Sequence, residues 1–346
     1  MAPGGVYRGM RRPPFEGPYN RAVRFFLTGA TGYIGGAIAR RLLADGHEVA
    51  TIARDLARAQ ALSEAGVRCF PGDVRDRISM REAMSGADWV VHAAAELDFR
   101  VPEESMRRVN VDGAENVASL AWKLGVGRLL AVSSIAVFGG SPEDGSAADE
   151  RSPVVLPLPS PYSRTKAAAD AAVEAWAARG LRVNLVFPSL VYGPPAKKSG
   201  TNALLRAFAL NRMPAVVGGD RIARWIHLDD LVEGIARLID RAPAGEGYLM
   251  TGEAAPVGEV VRRVCDIAGA RPPRLRLSPA VAYGALTLLG PALRAAGVRG
   301  LPTRPQVRSL ARHWNFDDSK ARRGLDWTPR GLDQGLPSAV EHLLGL

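Results

Sequence analysis

The stretch from Thr28 to Gly35 reads T-G-A-T-G-Y-I-G and stands between two different apolar patterns. Residues 23–27, V-R-F-F-L, precede it as an apolar run, and Ile38, Leu42 and Leu43 follow it at helical spacing. A strand that ends in a Gly-rich turn and continues as a helix is how α/β folds bind the pyrophosphate of a dinucleotide. The backbone N–H groups and the positive end of the helix dipole then face the phosphates.

Each glycine of this turn has its own physical reason. Gly29 permits the tight turn, Gly32 lets the backbone approach a phosphate closely, and Gly35 lets the helix pack on the strand. The spacing is G-x-x-G-x-x-G rather than the commoner G-x-G-x-x-G. Taken alone, the motif is also compatible with a turn that binds no ligand.

Composition describes an ordinary globular chain with a positive charge. The 346 residues are 47% apolar and 23% charged, with a net charge of +10. Residues 1–24 hold five Arg against one Glu, and the remaining Arg are spread along helical patterns without a basic block. This distribution favours a solvated surface over nucleic-acid binding, and it would also attract anionic cofactor phosphates.

The two cysteines, Cys69 and Cys265, are far apart and form no C-x-x-C pair. Their scarcity argues against a disulfide scaffold or a metal site and favours a reducing cytoplasm. Residues 1–21 are rich in Gly, Pro and Arg and lack the apolar core of a signal peptide. We predict that they form a disordered N-terminal extension, or that the start of the chain is assigned too early.

Residues 277–293 carry no charge, which raises the question of a membrane segment. Pro279, Gly284, Gly290 and Pro291 interrupt them, so a spanning helix is not expected. Two alternatives stay open: a helix that covers an apolar substrate cavity, or one that touches a membrane surface.

Strand-like runs alternate with helical patterns through the first half of the chain. This alternation predicts a Rossmann-type, doubly wound parallel sheet with right-handed crossovers. Strands are predicted at 23–28, 48–53, 68–71, 89–93, 129–133 and 182–186, and helices at about 33–45, 56–65, 78–84, 104–124 and 161–179. Gly46 and Gly180 stand where glycines end helices.

The sequence pattern changes after residue 187. Loops become frequent there, and the alternation of strands and helices becomes irregular. We predict a dinucleotide-binding domain over 22–187 and a smaller α/β substrate lobe over 188–346. Some segments, at about 225–252, are expected to return to the first domain. The lobe would close over the carboxyl edge of the sheet, where ligands of such folds bind.

Tyr162 and Lys166 form Y-x-x-x-K at the start of an Ala-rich helical pattern. The i, i+4 spacing puts both side chains on one helix face. An ammonium near a phenol is expected to lower the tyrosine pKa from about 10, so that the phenol exchanges a proton near neutral pH. The spacing alone is common in helices, where such residues are often simply solvated.

Ser134 lies 28 residues before Tyr162, at the carboxyl end of a predicted buried strand. Its hydroxyl could hydrogen-bond a substrate oxygen and stabilise developing charge. Backbone capping is the simpler alternative for a serine at a strand end.

The ordered set of these motifs resembles the extended short-chain dehydrogenase/reductase family. The resemblance runs from about residue 23 to 327 and includes the Gly-rich turn, G-D-V at 72–74, H-A-A-A at 92–95, V-N-V-D-G at 109–113, Ser134, Tyr162/Lys166 and P-S-L-V-Y-G-P at 188–194. In its overall sequence pattern the chain is most similar to the dihydroflavonol-4-reductase and 3β-hydroxysteroid dehydrogenase branch of that family.

The resemblance implies a catalytic role for four residues. Tyr162 would be the acid/base, Lys166 would tune it and hold the nicotinamide ribose, Ser134 would position the reacting oxygen, and Asn110 would order the active-site backbone. His92, His227 and Asp230 would be structural. The implied cofactor-binding residues, besides Tyr162 and Lys166, are Gly29, Thr31, Gly32, Tyr33, Ile34, Gly35, Arg54, Asp73, Val74, Ala93, Ala94, Ala95, Ser133, Pro188, Ser189 and Val191.

The end of the second predicted strand bears on the choice of dinucleotide. A ribose 2′-hydroxyl favours a carboxylate there, whereas a 2′-phosphate favours an Arg. Ala53 stands at the acceptor position and Arg54 follows, which favours NADP(H), with Arg58 as a further cation. If the strand ended later, Asp55 could accept a hydroxyl, and Arg54 could be mere surface charge.

Residues outside the catalytic set bear on which reaction the protein catalyses. Related dehydratases carry an Asp-Glu pair after the catalytic hydroxyl, and here Ile135 and Ala136 occupy those places. Related epimerases usually carry an Arg for the nucleotide diphosphate, for which Arg224 is displaced by one position and Arg221 is nearby. Apolar residues of the second lobe suit a hydrophobic ketone: Val281, Leu286, Leu288 and Leu289.

We therefore expect an NADP(H)-dependent oxidoreductase that interconverts a carbonyl and a secondary alcohol on a small, hydrophobic substrate. The alternatives are a sugar or sugar-nucleotide epimerase and a non-catalytic dinucleotide-sensing protein. The resemblance also implies a homodimer formed through the helices near 104–124 and 161–179.

Overall fold

Seven parallel strands form the central sheet of the computed structural model, which describes residues 22–195, 199–290, 292 and 302–345. The predicted extension at 1–21 lies outside these residues. The strands of the chain are β1 Arg24–Thr28, β2 Glu48–Ala53, β3 Arg68–Pro71, β4 Trp89–His92, β5 Arg128–Val132, β6 Val183–Pro188, β7 Leu190–Tyr192, β8 Ala215–Val217, β9 Ile222–His227, β10 Gly247–Met250, β11 Glu253–Pro256 and β12 Leu275–Leu277.

The α-helices follow in the same chain order. They are α1 Tyr33–Ala44, α2 Gln60–Glu64, α3 Arg81–Met84, α4 Glu103–Arg107, α5 Gly113–Lys123, α6 Pro161–Ala177, α7 Gly200–Ala209, α8 Leu228–Arg241, α9 Val257–Ile267, α10 Pro279–Leu288, α11 Arg304–Leu310, α12 Ser319–Leu325 and α13 Leu332–Leu344. None of the helices in the described parts of the chain combines the length and the apolar character that crossing a bilayer requires.

The order of strands in the large sheet is β3-β2-β1-β4-β5-β6-β10, and all its pairings are parallel. The predicted doubly wound α/β fold is therefore confirmed. The order reverses between β1 and β4, where Thr28 pairs with His92 at the carboxyl ends of the two strands. This reversal opens the crevice in which such sheets bind ligands.

Alternation along the strands builds a core on each face of the sheet. Phe25 and Leu27 point to the face covered by α1 and α8, whereas Phe26 points to the face covered by α5 and α6. Both faces are covered, so a central strand such as β5 is buried at every residue.

One predicted helix is wrong as a continuous element. Residues 104–124 form α4, a π-helical turn at Arg108–Asp112, and α5. A π turn shifts the hydrogen-bond ladder by one residue and often marks a functional site. Two shorter predictions also changed, since 56–65 begins as a 3₁₀ turn at Ala57–Ala59 and 78–84 is helical only in α3.

Gly46 and Gly180 have φ angles of +81° and +97° just beyond α1 and α6, which confirms their predicted helix-ending conformation. Farther along the chain, β7, β9 and β11 form a three-stranded sheet, and β8 pairs with β12. A third core packs Tyr192 and Trp225 of this region against α7, α9 and α13. Strand β10 returns to the large sheet beside β6.

Candidate active site

The Gly-rich turn connects β1 to α1 in a shape that only glycine allows. Gly29 has φ +79°, and a Cβ there would lie 2.7 Å from the backbone N of Ala94. A Cβ on Gly35 would overlap the carbonyl oxygen of Gly29. Gly32 is the N-cap of α1, and no side chain caps the first turn of that helix. The helix N-terminus thus presents backbone N–H groups without a side-chain partner, in the form that binds a phosphate.

The Gly-rich turn lies against the chain after β4, at Ala93, Ala94 and Ala95, which are all half-buried. The Thr28 hydroxyl lies 2.7 Å from Nδ1 of His92 and accepts the backbone N–H of Ala94 at 3.3 Å. Burial, with a contribution from Lys166, lowers the pKa of His92 to about 3. A neutral, fully buried imidazole therefore fixes the two strand ends against each other.

Thr31 lies exposed in the turn, and Ile34 lies half-buried in the first turn of α1. Tyr33 donates its hydroxyl to the carbonyl of Gly193 at 2.6 Å. This bond connects α1 to the loop after β7, across 160 residues of chain. The turn is thereby fixed to the second half of the protein.

The end of β2 carries the residues that were considered for the choice of dinucleotide. The strand ends at Ala53, and Arg54 is exposed directly beyond it. The Asp55 carboxylate accepts the backbone N–H of Ala57 at 3.0 Å, so it caps its own turn. At the next strand end, Asp73 pairs with Arg75 at 2.7 Å, and that guanidinium lowers the pKa of the carboxyl group.

Tyr162 and Lys166 lie in the first turns of α6, which Ser160 caps by accepting the N–H of Ser163 at 3.1 Å. The buried ammonium of Lys166 donates to the carbonyl of Val132 at 3.0 Å, at the carboxyl end of β5. The Ser134 hydroxyl, two residues farther on, lies beside the phenol of Tyr162 and lowers its pKa. The structure brings the three predicted side chains together.

The expected pKa of Tyr162 is corrected by the structure. Burial raises it to about 12, the Ser134 hydrogen bond lowers it only in part, and the charge of Asp170 raises it further. The Tyr–Lys spacing indicates the attraction of the ammonium, but it carries no information about the cost of ionising a phenol away from water. In this arrangement Tyr162 is a neutral phenol at physiological pH, which means that it can donate a proton.

Ser134 has a second role that the sequence left open as an alternative. Its hydroxyl accepts the N–H of Ala136 at 3.2 Å and caps a 3₁₀ turn at Ile135–Phe138. Capping fixes the side-chain orientation, so the two roles are compatible.

Asp170 belongs to this cluster although the sequence analysis did not name it. It lies one helical turn beyond Lys166, is 8% exposed, and accepts a hydrogen bond from the hydroxyl of Ser133. Burial raises its pKa to about 6, although Lys166 and Ser133 oppose the rise. Burial also lowers the pKa of Lys166, and Asp170 counteracts it. The i+4 spacing from Lys166 was a signal that could have found this residue.

Asn110 lies in the π turn and joins two parts of the site. Its side-chain oxygen accepts the N–H of Glu96 at 2.7 Å, and its Nδ2 donates to the hydroxyl of Thr165 at 3.0 Å. It therefore ties the loop after β4 to helix α6, next to Tyr162 and Lys166. Val74, 7% exposed, supports the same region, because it packs where a Cβ on Gly113 would come within 3.0 Å.

The loop after β4 also carries an aromatic side chain that the sequence analysis missed. The ring of Phe99 lies 6.3 Å from the ring of Tyr162, and Leu97 beside it is 57% exposed. Periodicity does not reveal such a contact, because the loop has no regular structure. Two strands farther along the same sheet edge, Pro188 ends β6, Val191 is buried in β7, and Ser189 donates its hydroxyl to the carbonyl of Thr251 at 2.7 Å.

The two arginines considered for a nucleotide diphosphate are engaged elsewhere. Arg224 is largely buried and donates to the side chain of Asn315 at 2.9 Å and to the carbonyl of Gly252 at 3.0 Å. Arg221 lies 3.0 Å from Nε2 of His313. Both guanidinium groups connect segments that are far apart in the sequence.

Comparison with known proteins places the chain in a family. Residues 25–250 match the model of the NAD dependent epimerase/dehydratase family, and the chain belongs to that family. It is an NAD(P)-dependent oxidoreductase of the extended short-chain dehydrogenase/reductase type. The resemblance read from the motifs is thereby confirmed.

Two curated relatives and one solved structure cover nearly the whole chain. Sterol demethylase protein B of Methylococcus capsulatus is 31% identical over 319 residues, 91% of this chain and 96% of that protein. The 4-hydroxy-2-methyl-3-oxo-4-farnesyl-3,4-dihydroquinoline-1-oxide ketoreductase of Stigmatella aurantiaca is 29% identical over 320 residues, 90% of this chain and 94% of the other. The crystal structure of gox2253 is similar with a TM-score of 0.80 and 29% identity, and covers 94% of this chain and 98% of that one.

Proposed function

We propose that the protein interconverts a carbonyl and a secondary alcohol on a small apolar substrate with NADP(H). One observation carries the proposal: Tyr162, Ser134 and Lys166 meet at the carboxyl end of β5, on the edge of the sheet that also holds the Gly-rich turn. The close-packed glycines and the uncapped first turn of α1 fit a pyrophosphate. NADP(H), when bound, supplies or accepts the hydride at the substrate carbon.

The chain's own residues would supply alignment and the proton. Ser134 would hold the substrate oxygen by a hydrogen bond, and the neutral phenol of Tyr162 would deliver its proton to that oxygen. Lys166 would hold the ribose and keep positive charge beside the phenol. Because burial raises the pKa of Tyr162, this resting state suits reduction of a ketone, and alcohol oxidation would be favoured at higher pH.

The preference for NADP(H) rests on the end of β2. Arg54 is exposed immediately after the strand, and the nearest carboxylate, that of Asp55, already accepts a backbone N–H. A 2′-phosphate would gain a charge-assisted hydrogen bond from Arg54, whereas the Asp55 carboxylate is turned back to the backbone N–H of Ala57. Asp73 and Val74 would border the adenine.

An apolar substrate is supported by the side chains near Tyr162. Phe99 and Leu97 place an aromatic ring and an exposed aliphatic side chain at the mouth of the crevice. The two similar proteins described above are named for a sterol and for a farnesyl-bearing quinoline oxide, which are largely apolar compounds. The occupied side chains of Arg224 and Arg221 disfavour a nucleotide diphosphate.

The test is a panel of cyclic and aliphatic ketones assayed by the loss of NADPH absorbance, with NADH in parallel. The proposal predicts net consumption of NADPH that rises with the apolar surface of the ketone. Conversion of a sugar nucleotide without net cofactor consumption would establish the epimerase instead. Cofactor binding without turnover of any carbonyl or sugar would favour the dinucleotide sensor.

We also propose the organisation around this activity. Residues 22–187 would form the dinucleotide domain and 188–346 mainly the substrate lobe, in a cytoplasmic homodimer. Helices α5 and α6 pack together and expose Trp122, 46% accessible, whose ring lies 5.5 Å from that of Trp176. Light scattering of the purified protein tests the dimer, and a mass of one chain would refute it.

A further inference from the structure

Helix α10 exposes an apolar face to solvent. Val281, Ala285, Leu288 and Leu289 follow the i, i+4, i+7, i+8 spacing of one helix face, and all four are exposed. Val281 is 58%, Leu288 80% and Leu289 57% accessible. These four residues are called the α10 stripe below.

A different face of the same helix makes its internal contacts. Ala282 and Leu286 are buried against Val307 of α11 in a small core of their own. Helix α10 is therefore apolar on both its buried face and its exposed face, whereas a surface helix usually carries polar residues outward. Val281, Leu288 and Leu289 are exposed rather than buried, so they give no support to the expectation of a ketone pocket at this helix.

The segment around α10 is strongly basic. Residues 267–316 contain eight Arg, no Lys and no Asp or Glu. Arg271, Arg274 and Arg276 are exposed just before the helix, and Leu275 between them is 52% accessible. On the neighbouring helix α11, the guanidinium of Arg308 donates to the hydroxyl of Tyr283 in α10 at 3.0 Å.

We propose that the α10 stripe and the arginines before it form a docking surface for an anionic lipid bilayer. An apolar helix face flanked by cations is the chemistry of an interfacial helix, in which leucines enter the acyl boundary and arginines meet the headgroups. With ten residues, α10 is about 15 Å long and lies in the interface rather than across it.

Charge decides between a bilayer and the other occupants of such a face. A second copy of the chain docked by the same surface would bring the two arginine groups together, and like charges repel across an interface. A nucleic acid would satisfy the arginines but leave Leu288 and Leu289 without an apolar partner. Anionic lipid satisfies both groups at once.

The experiment is co-sedimentation of the full chain with vesicles of phosphatidylcholine alone or with 30% phosphatidylglycerol. We expect binding to the anionic vesicles that weakens with salt. The double variant Leu288→Glu/Leu289→Glu should lower the partition coefficient by about tenfold or more. Arg274→Ala/Arg276→Ala should lower it by about fivefold per arginine.

Matched controls lie in a different part of the chain, in the loop after β3 and in α3. Ile78 is 82% exposed, and Arg77 and Arg81 are exposed beside it. Ile78→Glu and Arg77→Ala/Arg81→Ala should leave vesicle binding unchanged. All variants should keep NADPH turnover of a water-soluble ketone, which verifies that they are folded.

Three results would overturn the proposal. The first is a wild-type protein that stays in the supernatant with both kinds of vesicle. The second is an equal loss of binding in the control variants, which would indicate general charge attraction. The third is a stripe variant that changes the mass in light scattering but not the vesicle binding, which would assign the face to a second copy of the chain.

Discussion

Replacing Asp170 by Asn tests the buried polar cluster beneath Tyr162. Asp170 is 8% exposed, and burial raises its pKa from 3.8 to about 6. The folded protein therefore binds a proton more tightly at this site than the unfolded chain does. Stability must then fall as the pH rises from about 4 to about 6, since the unfolded chain ionises more readily.

The magnitude follows from the two pKa values. They differ by about two pH units, and each unit corresponds to about 1.4 kcal/mol, so ionised Asp170 costs the fold about 3 kcal/mol at pH 8. At pH 5 roughly half of this cost is present. The amide introduced by Asp170→Asn cannot ionise, so the free energy of unfolding of this variant should gain on the order of 1–2 kcal/mol over wild type between pH 5 and pH 8.

The assay is urea unfolding of both proteins at pH 5 and pH 8. Glu82→Gln, which removes an exposed carboxylate of α3 outside this cluster, is the matched control and should show no such gain. The same Asp170→Asn substitution should reduce turnover, because the ammonium of Lys166 loses its carboxylate. A stability difference between variant and wild type that does not change with pH would refute the reasoning.

Three further predictions concern the cofactor and the substrate. Arg54→Ala should weaken NADPH binding by about 10- to 100-fold in a fluorescence titration and leave NADH binding unchanged, because a charge-assisted hydrogen bond is lost; equal weakening of both would contradict the phosphate contact. Gly35→Ala should destabilise the protein by about 1–3 kcal/mol in thermal unfolding, since its Cβ overlaps the carbonyl of Gly29. Gly200→Ala, with open space around the new Cβ, is its control, and equal losses would refute the packing argument. Phe99→Ala should raise the KM for bulky apolar ketones more than for acetone, because the ring beside Tyr162 is removed; a uniform loss of kcat would place Phe99 outside the substrate contact.

The sequence predicted the fold well because its signals are local. The six strands of the first half were located to within two residues at each end, since each is an apolar run bounded by turns. The π turn around Asn110 was missed, because a single shift in the hydrogen-bond ladder leaves no mark on apolar periodicity.

The pKa values and neighbours of the site residues were harder to predict than the identity of those residues. Spacing and resemblance predicted one site for Ser134, Tyr162 and Lys166, and the structure places Ser134 beside the Tyr162 phenol and the Lys166 ammonium at the carboxyl end of β5. The predicted lowering of the Tyr162 pKa was wrong. Burial raises this pKa, and the degree of burial depends on how the whole sheet and α6 pack. Phe99 was missed for a related reason, since its loop is held by the bond from Glu96 to Asn110 across 14 residues of chain.

The most direct test of the proposed function follows one hydrogen atom. NADPH carrying deuterium at one C4 position or the other is incubated with the best ketone of the panel, and the alcohol is analysed by mass spectrometry. The account predicts that one of the two labelled cofactors delivers a single deuterium to the carbinol carbon, and that Tyr162→Phe binds NADPH but forms almost no alcohol. An alcohol without deuterium from either cofactor, or full turnover by Tyr162→Phe, would contradict it.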